Sequence, residues 1–257
     1  MGRCDAISRL AWYKGILMNG FKRIAVIGDS FCRYQEEETD WPVHLGKLLG
    51  VKSFGKGNGG NAWWTARRFL KKHYANDTSD VLLIVVHTEA SRLPNDNEIP
   101  MNLSVLKTFH SPEENEFTEI DPTGKIQSVA RDFYQSQLFS IEFYEWAQQA
   151  WIKELDDAGD NFYKIIHIPA FDTVKFNIKN SIVLQPDLNI FSLRTISDSE
   201  RGTQNWFGLD ARRNHFNKHN NIKLAEAVAY AITNTDKNYA GTVYFNNLND
   251  WMLKTTL

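Results

Sequence analysis

The sequence predicts an α/β protein, a three-layer α/β/α sandwich around a central parallel sheet of about five strands. Two patterns and one bulk property predict it. Short apolar runs alternate with segments of helical periodicity, the signature of a parallel sheet with helices on both faces. The runs are continuous rather than alternating, as in strands covered on both sides. Finally, 257 residues with 42% hydrophobic and 13% aromatic content suffice for one full core and argue against disorder.

The first strand spans 23–28, where Ile24, Ala25, Val26 and Ile27 run unbroken into Gly28-Asp29-Ser30. Trp41, Val43, Leu45, Leu48 and Leu49 then mark a helix closed by Gly50. A short second strand, 51–54, runs into a glycine-dense loop from Gly55 to Asn61. Trp63, Ala66, Leu70 and Tyr74 carry helical spacing with basic residues on the outer face, and one of Trp63 and Trp64 must face outward. The run 81–86 is the clearest buried strand. Residues 93–135 are polar and aperiodic, and a loop of that length is usually functional or mobile. Phe139, Phe143, Trp146 and Ala150 define a helix that stops at Gly159, and 164–169 is a fourth strand. The stretches 181–184 and 189–193 compete for the fifth. The last helix places Ile222, Ala225, Val228, Ala229 and Ile232 on one face, with Asn217 as its N-cap. Residues 1–20 read as an appendage, with Met18 a candidate native start. A single domain, 21–257, follows with insertions at about 93–135 and 172–209.

Several function classes are excluded by composition. The net charge of −2 gives no electrostatic footprint for nucleic acid or an anionic membrane. No apolar run approaches the ~20 residues that span a bilayer. The first twenty residues lack the apolar centre and cleavage site of a secretory signal, and Ala6 breaks the myristoylation pattern. Cys4 and Cys32 cannot build a disulfide framework, which suits a reducing compartment.

The chemistry concentrates at strand ends. Open α/β sheets bind ligands beyond the carboxyl ends of their strands, and Ser30 sits there as a nucleophile, a helix cap or a phosphate ligand. Asp29 reads as structural, holding the turn through neighbouring amides. Cys32 reads as a small buried residue. The glycine loop offers backbone N–H groups to an anion or oxyanion, but it lacks the Lys-Ser/Thr ending and the G-x-G-x-x-G of nucleotide loops. His87 and His167 read as core or edge histidines, and Arg92 as fixing a loop or a substrate carboxylate. His215 and His219 have a spacing compatible with a metal on a helix. No third ligand and no His-Glu-x-x-His pattern accompany them, so no metal site is expected.

The order Gly28-Asp29-Ser30, then Gly59-Gly60-Asn61-Ala62, then His87-Thr88-Glu89, then His215 before the last helix resembles the SGNH (GDSL-type) hydrolase superfamily. The resemblance covers about residues 22–234 and, in motif style, is most similar to divergent members encoded by phages and large viruses. It implies a flavodoxin-like sandwich with Ser30 as nucleophile and His215 as general base. The oxyanion hole it implies comprises the amides of Ser30 and Gly60 with Thr88 or Asn61 assisting. Two positions depart from the pattern. Thr88 stands at or next to the usual asparagine, and losing one oxyanion donor can cost about 100- to 1000-fold in rate. Arg212 stands where the family has aspartate, leaving Asp210 or a backbone carbonyl to orient His215.

The expectation is therefore a serine esterase acting on small acyl esters, with O-acetyl groups on carbohydrate implied by the resemblance. It needs no metal or organic cofactor, and its partner is a small-molecule or carbohydrate ester rather than nucleic acid or membrane. The expected location is cytoplasmic or virus-associated; oligomeric state is not legible. Two other readings stand beside it: an inactive binding or structural module of the same fold, and a nucleotide- or phosphate-binding flavodoxin-like protein.

Overall fold

The computed structural model describes residues 20–32, 40–57, 62–73, 77–92, 141–171, 174–185, 193 and 218–244. They build one six-stranded sheet: β1 (Arg23–Gly28), β2 (Lys52–Gly57), β3 (Thr78–His87), β4 (Phe162–Pro169), β5 (Ile182–Gln185) and β6 (Gly241–Tyr244). The spatial order is β2-β1-β3-β4-β5-β6, and every neighbouring pair is parallel. The first five strands follow the flavodoxin-like order 2-1-3-4-5. Four helices accompany them: α1 (Trp41–Leu49), α2 (Trp63–His73), α3 (Ile141–Asp157) and α4 (Lys218–Asn234).

Side chains of each strand divide between two cores. Ile24, Val26, Leu82, Ile84, Val86, Ile166 and Ile168 pack with Trp41, Leu45 and Leu49 of α1 and with Leu224, Ala225 and Val228 of α4. Ala25, Ile27, Leu83, Val85 and Ile165 pack with Ala66 and Leu70 of α2 and with Trp151 and Leu155 of α3. Burial on both faces explains why the strands read as continuous apolar runs. α1 and α4 also contact each other, although α4 connects β5 and β6 at the far edge of the sheet from β2.

The sheet has six strands where about five were expected. β6 escaped because Gly241-Thr242-Val243-Tyr244 is a half-exposed edge strand with little apolar character. β2 is also longer than the expected 51–54. Its pairing with β1 continues through Val26↔Gly55 and Gly28↔Gly57, because a backbone ladder needs no side chains. Of the two candidates for the fifth strand, the earlier one forms β5, which lies within the stretch 172–209; residues 189–192 lie outside the described residues, as do 1–19 and 93–140.

Two glycines have separable roles. Gly28 closes β1 at φ +133°, and a Cβ there would sit 1.9 Å from the Val86 carbonyl oxygen. Gly50 ends α1 in the left-handed region at φ 66°, with nothing within 4 Å of its Cβ position. Gly50→Ala should therefore cost only about 1 kcal/mol. Gly28→Ala adds a backbone collision to the strain and should cost at least about 3 kcal/mol. Urea unfolding of the two variants checks the ranking.

Candidate active site

Three strand ends finish level. Gly28 pairs with Gly57 on one side and with Val86 on the other. The residues that follow β1 and end β3, Asp29-Ser30 and His87-Thr88, thus leave neighbouring strands about 4.8 Å apart. The chain order reverses between β1 and β3, which is the crevice where open α/β sheets hold ligands.

The Gly-Asp-Ser turn is fixed from several sides. The Asp29 amide donates to the Val86 carbonyl at 3.1 Å, and the Cys32 amide donates to the Asp29 carbonyl at 3.0 Å, closing a 3-10 turn over Ser30–Cys32. Asp29 Oδ1 accepts from the Phe31 amide at 3.2 Å. Asp29 Oδ2 pairs with Arg92 Nη1 at 2.6 Å, the side chains being 0% and 9% exposed. The Arg92 guanidinium lies 4.8 Å from the Phe171 ring centroid, and Phe171 meets Phe31 edge-on at 6.2 Å. Trp41 Nε1 donates to the Phe31 carbonyl at 2.6 Å. Residues following β1, β3 and β4, together with α1, therefore lock the backbone on both sides of Ser30.

Asp29 is structural, as its place in the turn suggested, and Arg92 fixes the loop rather than reaching solvent. Cys32 is fully buried, and its thiol donates to the Asp29 carbonyl at 3.0 Å. Burial, reinforced by Asp29, pushes that thiol well above its ordinary range, so it is protonated and inert.

Thr88 is 2% exposed, and its Oγ1 has no hydrogen-bond partner among the described residues. Its carbonyl, by contrast, accepts from Gln148 Nε2 of α3 at 2.7 Å. Gln148 was not anticipated; it sits one turn from Trp151 on a helix whose aromatic pattern dominated the reading. Trp63 stacks on Trp151 at 5.9 Å, and Trp64 is the outward-facing member of the pair.

A second polar group lies beneath β3. His87 Nε2 and His167 Nδ1 are 2.8 Å apart, and His167 Nε2 meets Ser181 Oγ at 3.0 Å. Ser181 donates to Asp156 Oδ1 at 2.6 Å. His167 is thus a satisfied core histidine; His87 is satisfied at one nitrogen, while its Nδ1 has no partner among the described residues. A cleft of about 500 Å³ opens at the other edge, against the strand starts Thr78 and Phe162. It holds Arg67, which is bonded through two nitrogens to Glu154, and offers no activated nucleophile.

Of the other expected site residues, His215, Asp210, Gly60 and Asn61 lie outside the described residues, as does the side chain of Ser30. The cap residue Asn217 does too, although α4 begins at the next position. Among the described residues no helix is long and apolar enough to cross a membrane.

The Asp29–Arg92 pair yields a direct test. Arg92→Ala strands a buried carboxylate and should destabilise the fold by about 3–5 kcal/mol, measured by urea denaturation. Asp29→Asn should cost less than that in the Arg92→Ala background, because the stranded charge is then gone. No protein-family model, curated protein or solved structure matches this chain.

Proposed function

We propose that the protein is a serine hydrolase of SGNH character that cleaves small acyl esters, O-acetyl groups on carbohydrate being the favoured substrate class. One observation carries this reading. A Gly-Asp-Ser turn and a buried hydroxyl without a partner among the described residues, that of Thr88, leave adjacent strands at the switch point of the sheet. An unsatisfied buried hydroxyl costs about 1–3 kcal/mol, and such a group is useful where charge develops only during reaction.

The topology supports a contribution from His215. A helix joining two parallel strands runs antiparallel to them, so α4 begins at the edge where the strands end. α4 packs beside α1, the helix that follows the Ser30 turn. His215 precedes Lys218 by three residues, a reach of at most about 10 Å.

In this mechanism Ser30 Oγ attacks the ester carbonyl carbon while His215 takes the hydroxyl proton. The carbonyl π electrons move to oxygen, and the amides of Ser30 and Gly60, with Thr88 Oγ1 or Asn61, hold that oxyanion. Collapse breaks the bond to the alcohol, which leaves with the proton from His215. Water, deprotonated by His215, then attacks the acyl-serine, releasing the acid and returning the proton to Ser30. Asp210 orients the imidazole.

Hydrolysis of p-nitrophenyl acetate and labelling by a fluorophosphonate test the proposal. Wild type should turn over the ester and label at Ser30, and Ser30→Ala should lose at least about 1000-fold in rate together with the label. Equal rates in the two proteins, or no labelling of wild type, overturns it. Thr88→Val is a sharper probe because its two effects have opposite signs. Removing a partnerless buried hydroxyl should raise the melting temperature, while loss of an oxyanion donor should lower kcat about 100- to 1000-fold with little change in KM.

A further inference from the structure

The chain Asp156–Ser181–His167–His87 has one direction. Asp156 accepts from the amides of Lys179 at 2.8 Å and Asn180 at 2.9 Å. Burial alone would raise its pKa, but the Ser181 hydroxyl and these two amides hold the carboxyl below the ordinary carboxylate range. Ionised, it only accepts, so the single Ser181 proton points at Asp156. Ser181 Oγ must then accept from His167 Nε2–H. A neutral His167 consequently presents its Nδ1 lone pair, and His87 fills it with Nε2–H. The chain ends at His87 Nδ1, which has no partner among the described residues; the His87 ring centroid lies 5.3 Å from those of Trp151 and Phe176.

This geometry points to a proton-responsive latch: neutral, the His87–His167 pair pins the C-terminal end of β3 and with it Thr88; charged, it releases both. Two adjacent imidazoles in an aromatic box have no room for a second cation. Asp156 is the only charged group bearing on the pair among the described residues, and it acts through Ser181. On the flanking segment Lys175 and Lys179 are exposed. Lys164 of β4 donates instead to the carbonyls of Lys237 and Tyr239. From α3, Gln148 holds the Thr88 carbonyl and carries no charge.

Burial holds His87 well below the ordinary histidine range, its neighbour His167 adding to the effect. Burial likewise lowers His167 to about 4, against the pull of Asp156. Opened, both rings regain affinity near about 6.5. The closed state therefore binds fewer protons, and its advantage, complete above about pH 6.5, is lost as pH falls toward 4. Opening gains up to about tenfold per pH unit for each ring.

The latch stands on the histidine geometry; its consequence for catalysis rests on the esterase reading. The Ala170 amide, which donates to the His87 carbonyl at 2.9 Å, is the reporter. Its hydrogen-exchange protection, corrected for intrinsic rate, should fall at least about tenfold between pH 7 and pH 4.5 in wild type. It should fall far less in the His87→Gln/His167→Gln double variant, whose amides keep the donors and cannot titrate. Imidazole nitrogen NMR of wild type at pH 7, which needs no variant, should show His87 protonated at Nε2 and His167 at Nε2. Unchanged wild-type protection, an equal fall in both proteins, reversed tautomers, or either ring titrating near 6.5 overturns the latch. Fluorophosphonate labelling separates the two ideas. If Ser30 never labels while the Ala170 response holds, the esterase reading fails and the latch survives.

Discussion

A buried ion pair sets the shape of the sheet edge that carries the candidate site. Asp29 and Arg92 meet at 2.6 Å with almost no solvent, and each is also tied into its own strand end. Asp29 holds the Phe31 amide, and the Arg92 amide donates to the Glu89 carbonyl at 3.3 Å. Desolvating two charges is expensive, and an apolar pair of similar volume would often serve stability as well. What an apolar pair cannot do is fix direction. A carboxylate that engages an amide through one oxygen and a guanidinium through the other specifies the turn on either side of Ser30. The pair is therefore better understood as setting geometry than as adding stability.

The same edge shows how the backbone limits the chemistry. Gly28 must be glycine because the Val86 carbonyl occupies the space of a Cβ. That close approach is what lets Asp29 donate to Val86 and begin turning immediately beyond the strand. A side chain at position 28 would separate β1 from β3 at the point where Ser30 and Thr88 leave the sheet. The spacing of the two candidate hydroxyl-bearing segments is thus inherited from a steric requirement within the fold.

Much of the architecture was legible because burial on both faces leaves a plain mark. The runs 23–28 and 81–86 admit few other readings, and they became the neighbouring interior strands β1 and β3. Legibility failed where side chains carry little of the signal. β2 extends through Gly55 and Gly57 on backbone pairing alone, and β6 is an edge strand with one partner. In the site, Asp29 was read correctly because a short acid beside a strand-end glycine has few structural roles. Its partner Arg92 reads from sequence as fixing either a loop or a substrate carboxylate, because no local pattern links positions 63 residues apart. The histidine chain was least visible, since it joins two strands, a helix and a loop whose residues share no spacing.

Two neighbouring residues, His87 and Thr88, each keep a buried polar atom without a partner among the described residues. Native interiors satisfy nearly all such atoms, so two in succession call for a reason. Both residues are otherwise tightly held: His87 by His167, and Thr88 by Gln148 through its carbonyl. Arg92 Nε, on the same edge, is a third buried atom without a hydrogen-bond partner among the described residues. A backbone held so firmly around such atoms fits the two proposed events, a proton arriving at His87 and a negative charge developing beside Thr88. Three of the four buried side-chain atoms without a hydrogen-bond partner among the described residues, on His87, Thr88 and Arg92, follow or end β3, which is why its C-terminal edge has the strongest claim to function in this sheet.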